Sequence, residues 1–309
     1  MNLVLSYGGK KMKIETDFMT KVIKSNNPVS LLGERLSEIW LNMAEKDNEI
    51  GDYYYKGEEE VRDFEEFILK SYWEFYDWLA KACLEEKDIF QLYPDSTIVV
   101  MDGMSIRESA LLYKSLESKG YNVKHDFNFS AIPSDTELFR EKIKKPISGF
   151  LQINNSKNIR LAGDERYIWS YFPDVMLDKI KTGHTVISSL EEMYKIVEKI
   201  VLEILSKLKS GRIIITSDHG YVRTEAGFVF PVSEEAKGKF QQIFGSKRYV
   251  EMDSIDVEDL KNEGYVKEFN GYYLVKSRYL WPVPGRYSIY IHGGLSLMEC
   301  FVPVVEVKK

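Results

Sequence analysis

The sequence predicts an α/β fold: a mainly parallel β-sheet with helices on both faces. Three observations predict it. Short β-branched runs at 97–101 and 212–216 are apolar along almost their whole length, as in strands buried on both sides. Amphipathic stretches at 106–119 and 188–209 carry apolar residues at helical spacing. Strand, helix and strand in succession is the pattern of parallel crossovers.

Residues 1–95 read as an N-terminal helical region and 96–309 as the α/β domain. The first helix, 30–44, places Leu31, Leu32, Leu36, Ile39, Trp40 and Met43 at three-and-four spacing. Residues 58–87 continue the pattern with Val61, Phe64, Phe67, Ile68, Tyr72, Phe75, Tyr76 and Leu79. The aromatic run 72–78 reads as a packing stripe, because aromatic side chains dominate core burial. Tyr53, Tyr54 and Tyr55 read as a loop or the start of a helix. After a break at 92–96 come a strand at 97–101, a helix at 106–119 and extended stretches at 122–129 and 147–153. The 188–209 helix leads into the strand at 212–216. Further on, 228–232, 248–252 and 272–276 read as extended and 234–244 as a helix, with Asn270-Gly271 marking a hairpin turn. The strand at 301–307 contains Pro303, which predicts either a sheet edge or the beginning of a strand.

Composition narrows the function classes. The 309 residues carry a net charge of −6, so no global basic field recruits nucleic acid. No apolar run is long enough to span a bilayer, and residues 1–7 lack the basic and apolar regions of a secretion signal. Two cysteines, Cys83 and Cys300, make neither a disulfide framework nor a metal-ligand pattern. The expectation is a cytoplasmic protein with no membrane contact.

Chemistry-bearing residues recur at strand ends, where open α/β sheets place their sites. Asp218 and His219 follow 212–216, Asp102 follows 97–101, and His292 follows an extended run at 287–291 before Gly293-Gly294. Asp174 and Asp178 form an i,i+4 pair that shares one helix face. Carboxylates and imidazoles are the ligands of catalytic Zn²⁺ or Mn²⁺. Two such ions roughly 4 Å apart would clamp the two oxygens of a phosphoryl displacement. Ser134 and Thr136 are the candidate hydroxyl nucleophiles, at the start of a helix where the dipole favours an anion. Taken singly, each feature has a plainer explanation: a turn for Asp102-Gly103, a cap for Ser134 or Thr136, a solvated face for Asp174 and Asp178. Their coincidence in one parallel-sheet pattern favours a metal centre.

These residues resemble the PglZ branch of the alkaline phosphatase superfamily. The similar segments are 214–220 around Asp218-His219, 99–104 around Asp102, 133–140 with Thr136 and Arg140, and above all 290–304, which contains His292-Gly293-Gly294 and Glu299. The resemblance covers residues 96–309. It implies an alkaline phosphatase-like sheet flanked by helices, with an N-terminal helical extension. It also implies two divalent metal ions, Zn, with Mn or Mg as alternatives. One site would use Asp102, Thr136, Asp218 and His219, and the other His292 with the Asp174–Asp178 segment. Thr136 fits the nucleophile position better than Ser134. The implied activity is phosphoester hydrolysis, chiefly of phosphodiesters such as nucleotides, oligonucleotides or single-stranded nucleic acid, in the setting of phage defence. Ser170 stands where the family often has a His, and His184 is the alternative imidazole. Lys247, Arg248 and Arg140 are candidates for binding phosphoryl oxygens. The departures also allow a catalytically silent scaffold that meets a protein partner through the N-terminal helices.

Overall fold

In a computed structural model of the chain, the described residues are 3–7, 10–14, 16–46, 49–181, 190–253, 255–283 and 290–309. A six-stranded sheet forms the centre. Its strands are β1 (Thr97–Met101), β2 (Asn122–Phe129), β3 (Leu151–Ile153), β4 (Tyr167–Ser170), β5 (Arg212–Thr216) and β6 (Phe301–Lys308). The spatial order is β2-β6-β5-β1-β4-β3. Strands β5, β1, β4 and β3 are parallel, and only β6 runs against its two neighbours. The mainly parallel α/β prediction therefore holds.

Both faces of the sheet are buried, and successive residues alternate between them. Val99, Met101, Ile213 and Ile215 join one core, while Ile98, Val100 and Ile214 join the other with Phe90, Phe139, Phe150 and Trp169. That double burial is why β1 and β5 read as unbroken apolar runs.

The first core also takes in most of the helices of the first ninety-five residues. Leu36 and Trp40 of the Pro28–Lys46 helix, Val61 of Ile50–Ser71 and Leu79 of Phe75–Glu85 share it with Phe301 and Val305 of β6. Gly33 permits the close approach, because a Cβ there would lie 2.5 Å from the Phe301 ring and 2.6 Å from Phe127. The join is also ionic. Glu58 and Glu65, both on Ile50–Ser71, are fully buried against arginines from distant parts of the chain. Arg107 donates to Glu58 at 2.7 and 3.1 Å, and Arg278 donates to Glu65 at 2.8 Å and also to Glu58.

Several expectations are refined. The single helix read at 58–87 is two helices, Ile50–Ser71 and Phe75–Glu85. In the aromatic run, Phe75 and Tyr76 are buried, but Trp73 and Trp78 are 64% and 45% exposed. Tyr53 and Tyr54 sit buried in the first turn of a helix, so the helix-start reading applies. Pro303 is not at a sheet edge, since β6 is flanked on both sides. It precedes the β5 ladder, which begins at Val304, so its missing N–H costs no bond on that side. Asn270 and Gly271 both have positive φ, 47° and 80°, as the hairpin turn requires. The strand β4 was not anticipated.

A smaller unit follows β5. The antiparallel strands Tyr249–Glu251, Tyr272–Val275 and Val266–Phe269 pack with the Glu234–Ile243 helix on a separate core around Phe240, Leu260 and Trp281. It brings Arg248 and Tyr249 beside the ends of the main strands. No described helix is long and apolar enough to cross a membrane.

Candidate metal centre

Three loops leave the sheet along one edge and meet. The loop after β1 carries Asp102, the loop after β5 carries Asp218 and His219, and the loop after β2 leads to Thr136. Asp102, Asp218 and His219 are buried, and their ligand atoms lie within 4.8 Å of one another. Among the described residues no other group of three His, Cys, Asp or Glu gathers in this way.

Each side chain of the group is held by a neighbour. Asp218 Oδ1 accepts Gly103 N–H at 3.0 Å. Asp102 Oδ2 accepts the indole N–H of Trp169 at 3.2 Å. His219 Nδ1 lies 2.9 Å from Gly220 O, which can only accept, so Nδ1 carries a proton. Nε2 then faces the carboxylates, 3.6 Å from Asp218 Oδ2 and 3.8 Å from Asp102 Oδ1. Thr136 Oγ1 donates to Asp218 Oδ2 at 2.6 Å and stands 3.5 Å from Asp102 Oδ1. Thr136 opens an eight-residue helix, Thr136–Ile143, with Asp135 as its cap.

The electrostatics match a cation. Burial and the Asp218 charge push the Asp102 carboxyl well above the usual carboxylate range. Burial opposes charge on His219 as well, yet Asp218, Asp102 and Asp174 together push its imidazole up to about 9. Carboxylates that hold a proton on Nε2 this firmly would hold a divalent cation at the same place. Two carboxylates, one imidazole nitrogen and a hydroxyl are a fitting donor set for Zn²⁺ or Mn²⁺.

His292 stacks on His219, with ring centroids 3.9 Å apart and planes 17° from parallel. Its Nδ1 is 3.2 Å from Ser134 O. Asp174 begins the Asp174–Lys181 helix after β4, and its N–H bonds Asp102 O at 3.0 Å. The tight Asp102-Gly103 turn needs Gly103, with φ +71°, where a Cβ would lie 3.1 Å from Asp174 Cβ. The side chain of Asp178, and all of His184, lie outside the described residues.

Other candidates have different partners. Ser134 is buried, but its hydroxyl donates to Gly294 O and accepts Gly293 N–H, both at 3.0 Å, so it fastens a turn and does not face the carboxylates. Arg140 stacks over the Trp169 ring at 5.1 Å, with its Nε buried and without a hydrogen-bond partner. Arg248 is not available to a phosphoryl group, because it is fully buried against Glu299. The sequence reading missed Trp169, Ser217 and Glu299 as supports of the site. Ser217 Oγ approaches Met101 O at 2.7 Å and His219 O at 2.8 Å, tying the β1 and β5 loops together. Ser217 stands directly before Asp218 and Glu299 lies in the 290–304 segment, but neither position shows what the side chain holds.

The domain family described as "BREX system PglZ alkaline phosphatase-like domain" matches residues 147–307, just over half of the chain. The chain belongs to the PglZ family. The matched PglZ segment includes Asp174, Asp218, His219 and His292, while Asp102 and Thr136 reach the same place from before it. An "Alkaline phosphatase-like protein PglZ" from Bacillus cereus (strain H3081.97) is 27% identical over 149 residues. The aligned stretch is 46% of this chain and 17% of that protein, so the chain spans less than a fifth of the relative's length. Among solved structures, phosphonoacetate hydrolase from Sinorhizobium meliloti 1021 in complex with phosphonoformate is 12% identical, with a TM-score of 0.30. Its complex with phosphonoacetate is 13% identical, with a TM-score of 0.29. Each comparison covers 71% of this chain and 68% of the other.

A test of the local packing follows from Gly220. A Cβ there would collide with the backbone carbonyl of Met298, which cannot swing away as a side chain can. Gly220→Ala is expected to cost about 1–3 kcal/mol, read as a fall of several degrees in the thermal midpoint. An unchanged midpoint would show that this contact is not tight.

Proposed function

We propose that this PglZ chain is a metal-dependent phosphoester hydrolase with Thr136 as its nucleophile. The observation that carries the proposal is the 2.6 Å contact from Thr136 Oγ1 to Asp218 Oδ2, inside the group of ligand-type residues. A divalent cation bound by Asp102, Asp218 and His219 would supply positive charge to the phosphoryl oxygens and ease ionisation of the hydroxyl. Asp218 Oδ2 orients that hydroxyl and is placed to take its proton. Thr136 Oγ then attacks phosphorus and one ester oxygen departs as the alcohol, taking up the proton that Thr136 gave, which leaves Thr136 esterified to a phosphate that keeps the second ester group. Water then attacks the same phosphorus, releasing the phosphate monoester of the second alcohol and returning the Thr136 hydroxyl. The start of the Thr136–Ile143 helix favours the anionic group throughout. Zn is the expected metal, with Mn or Mg as alternatives. The second ion of the proposal would be held from the His292 and Asp174 side, with Asp178 or His184.

The substrate proposed is a phosphodiester of nucleotide size, and the proposed setting is phage defence. A cleft of about 500 Å³ opens beside the first turn of the Thr136 helix, lined by Tyr249, Tyr272, Glu137, Glu141, Glu251, Asp253 and Lys247 among others. Four carboxylates against one ammonium favour a small ester with a single phosphoryl group over a long nucleic acid strand.

The experiment is metal analysis of the purified chain together with activity on a panel of mono- and diesters. Bound divalent metal and chelator-sensitive hydrolysis are expected, with both strongly reduced in Asp218→Asn. A chain that takes up no Zn²⁺ or Mn²⁺ and hydrolyses nothing would favour the scaffold role.

A further inference from the structure

A four-residue helix, Leu297–Cys300, lies between the site and β6, and the loops of the site are bonded to it. Glu299 O accepts Gly220 N–H at 3.1 Å, and Cys300 O accepts Ser130 N–H at 2.9 Å. Glu299 Oε1 accepts Gly294 N–H at 2.8 Å. One short turn therefore holds the Asp218-His219 turn, the loop leading to Thr136 and the turn that carries His292. The first two bonds use its main chain, which most sequences could supply. The third needs the Glu299 side chain.

That side chain is fully buried and fully engaged. Arg248 grips it with Nε at 2.8 Å and Nη2 at 3.0 Å, and Ser296 Oγ donates at 2.5 Å. Arg248 is itself anchored on Tyr279 O at 2.8 Å and on Ser277 O. The fit leaves no space at Gly294, where a Cβ would lie 2.6 Å from Arg248 Nε and 2.8 Å from Val275 O. A buried ion pair gains little net stability over apolar residues of similar shape. What this pair provides, and an apolar pair could not, is an acceptor aimed at Gly294 N–H, two residues after His292.

We infer that Glu299 is a positioning residue. Its carboxylate sets the His292 turn against the His219 turn so that the two imidazoles stack, and Arg248 is its buried counter-charge. Glu299 touches no reacting atom.

The test compares two double variants without charge at either position. Arg248→Met with Glu299→Gln keeps an acceptor for Gly294, and Arg248→Met with Glu299→Leu removes it. The chain has four histidines, so imidazole NMR signals of the metal-free protein can be assigned by single replacements. In the wild type and the Gln variant, the His292 ring protons should carry the ring-current shift from His219; in a folded Leu variant that shift should be lost. Glu299→Asp gives a second route, because it keeps the charge for Arg248 but draws the acceptor back from Gly294, and the same loss is expected. An unchanged His292 shift in folded Leu or Asp variant overturns the inference.

A second readout rests on the proposed function: Zn²⁺ affinity on the His292 side, measured by chelator competition, should fall at least about tenfold in the Leu variant relative to the Gln variant. Equal affinities also overturn it. If the wild type binds no Zn²⁺, the proposed function fails, and the metal-free NMR comparison still decides the role of Glu299.

Discussion

Thr136→Ala is expected to lower kcat on the best diester of the panel by at least about 10⁴-fold, the scale seen when a nucleophile is removed. The fold should survive, and a saturating metal concentration should still load the site through Asp102, Asp218 and His219. The hydroxyl makes one short bond, to Asp218, in a partly buried position, and losing it costs about 1 kcal/mol. Thr136→Ser keeps an oxygen on the same carbon and should recover much of the rate. It also separates loss of the nucleophile from loss of packing. The measurement is steady-state kinetics on metal-loaded protein, with trapping of a phosphorylated residue in a rapid quench. Full activity in the Ala variant would point to direct attack by water and would end the role assigned to Thr136. Ser134 is no ready substitute, since its hydroxyl is held by Gly293 and Gly294.

Glu58→Gln carries the largest expected effect on stability. Glu58 lies between Arg107 and Arg278, all three fully buried. Neutralising it leaves two guanidinium groups short of a counter-charge, at a cost of about 3–5 kcal/mol. The effect should depend on pH. Burial works against the Glu58 carboxylate, but Arg107 and Arg278 hold its pKa down at about 2, from an ordinary value of 4.5. A depressed folded-state pKa means that this contribution is complete above about 4.5 and is lost as pH falls towards 2. The stability gap between wild type and variant, measured by denaturant unfolding, should therefore narrow from about pH 6 to about pH 3. A constant gap would assign the loss to packing. Glu65 behaves oppositely: burial prevails over its one arginine and pushes its pKa up.

Much of the centre was legible because strand ends leave local traces. Residues 98–101 before Asp102 and 213–215 shortly before Asp218 are unbroken apolar runs, and a carboxylate or imidazole soon after such a run stands out. Thr136 could be read as a nucleophile or a cap, and only the fold shows its oxygen against Asp218. The strand β4 went unseen because it is four residues long and aromatic-rich, and its Trp169 signalled packing, not support for Asp102. The buried network was illegible for a different reason. Glu58, Arg107, Arg278 and Arg248 are types that normally face water, and their partners lie 49 to 220 residues away. No periodicity records pairings of that kind. Arg248 was accordingly read as a phosphate contact when it is the partner of Glu299.

The reversed strand β6 has a consequence for the order of assembly. It is the last of the six strands in sequence, yet it sits second in the sheet, with β2 on one side and β5 on the other. During synthesis, β5, β1, β4 and β3 can pair while β2 has no neighbour to join. The loop leading to Thr136 hangs from β2, and the Asp102 and Asp218 loops hang from the other block. Thr136 and the ligand-type residues are therefore brought together only when residues 301–308 emerge and close the gap. A growing chain interrupted before that point would carry the separate parts of the centre unassembled.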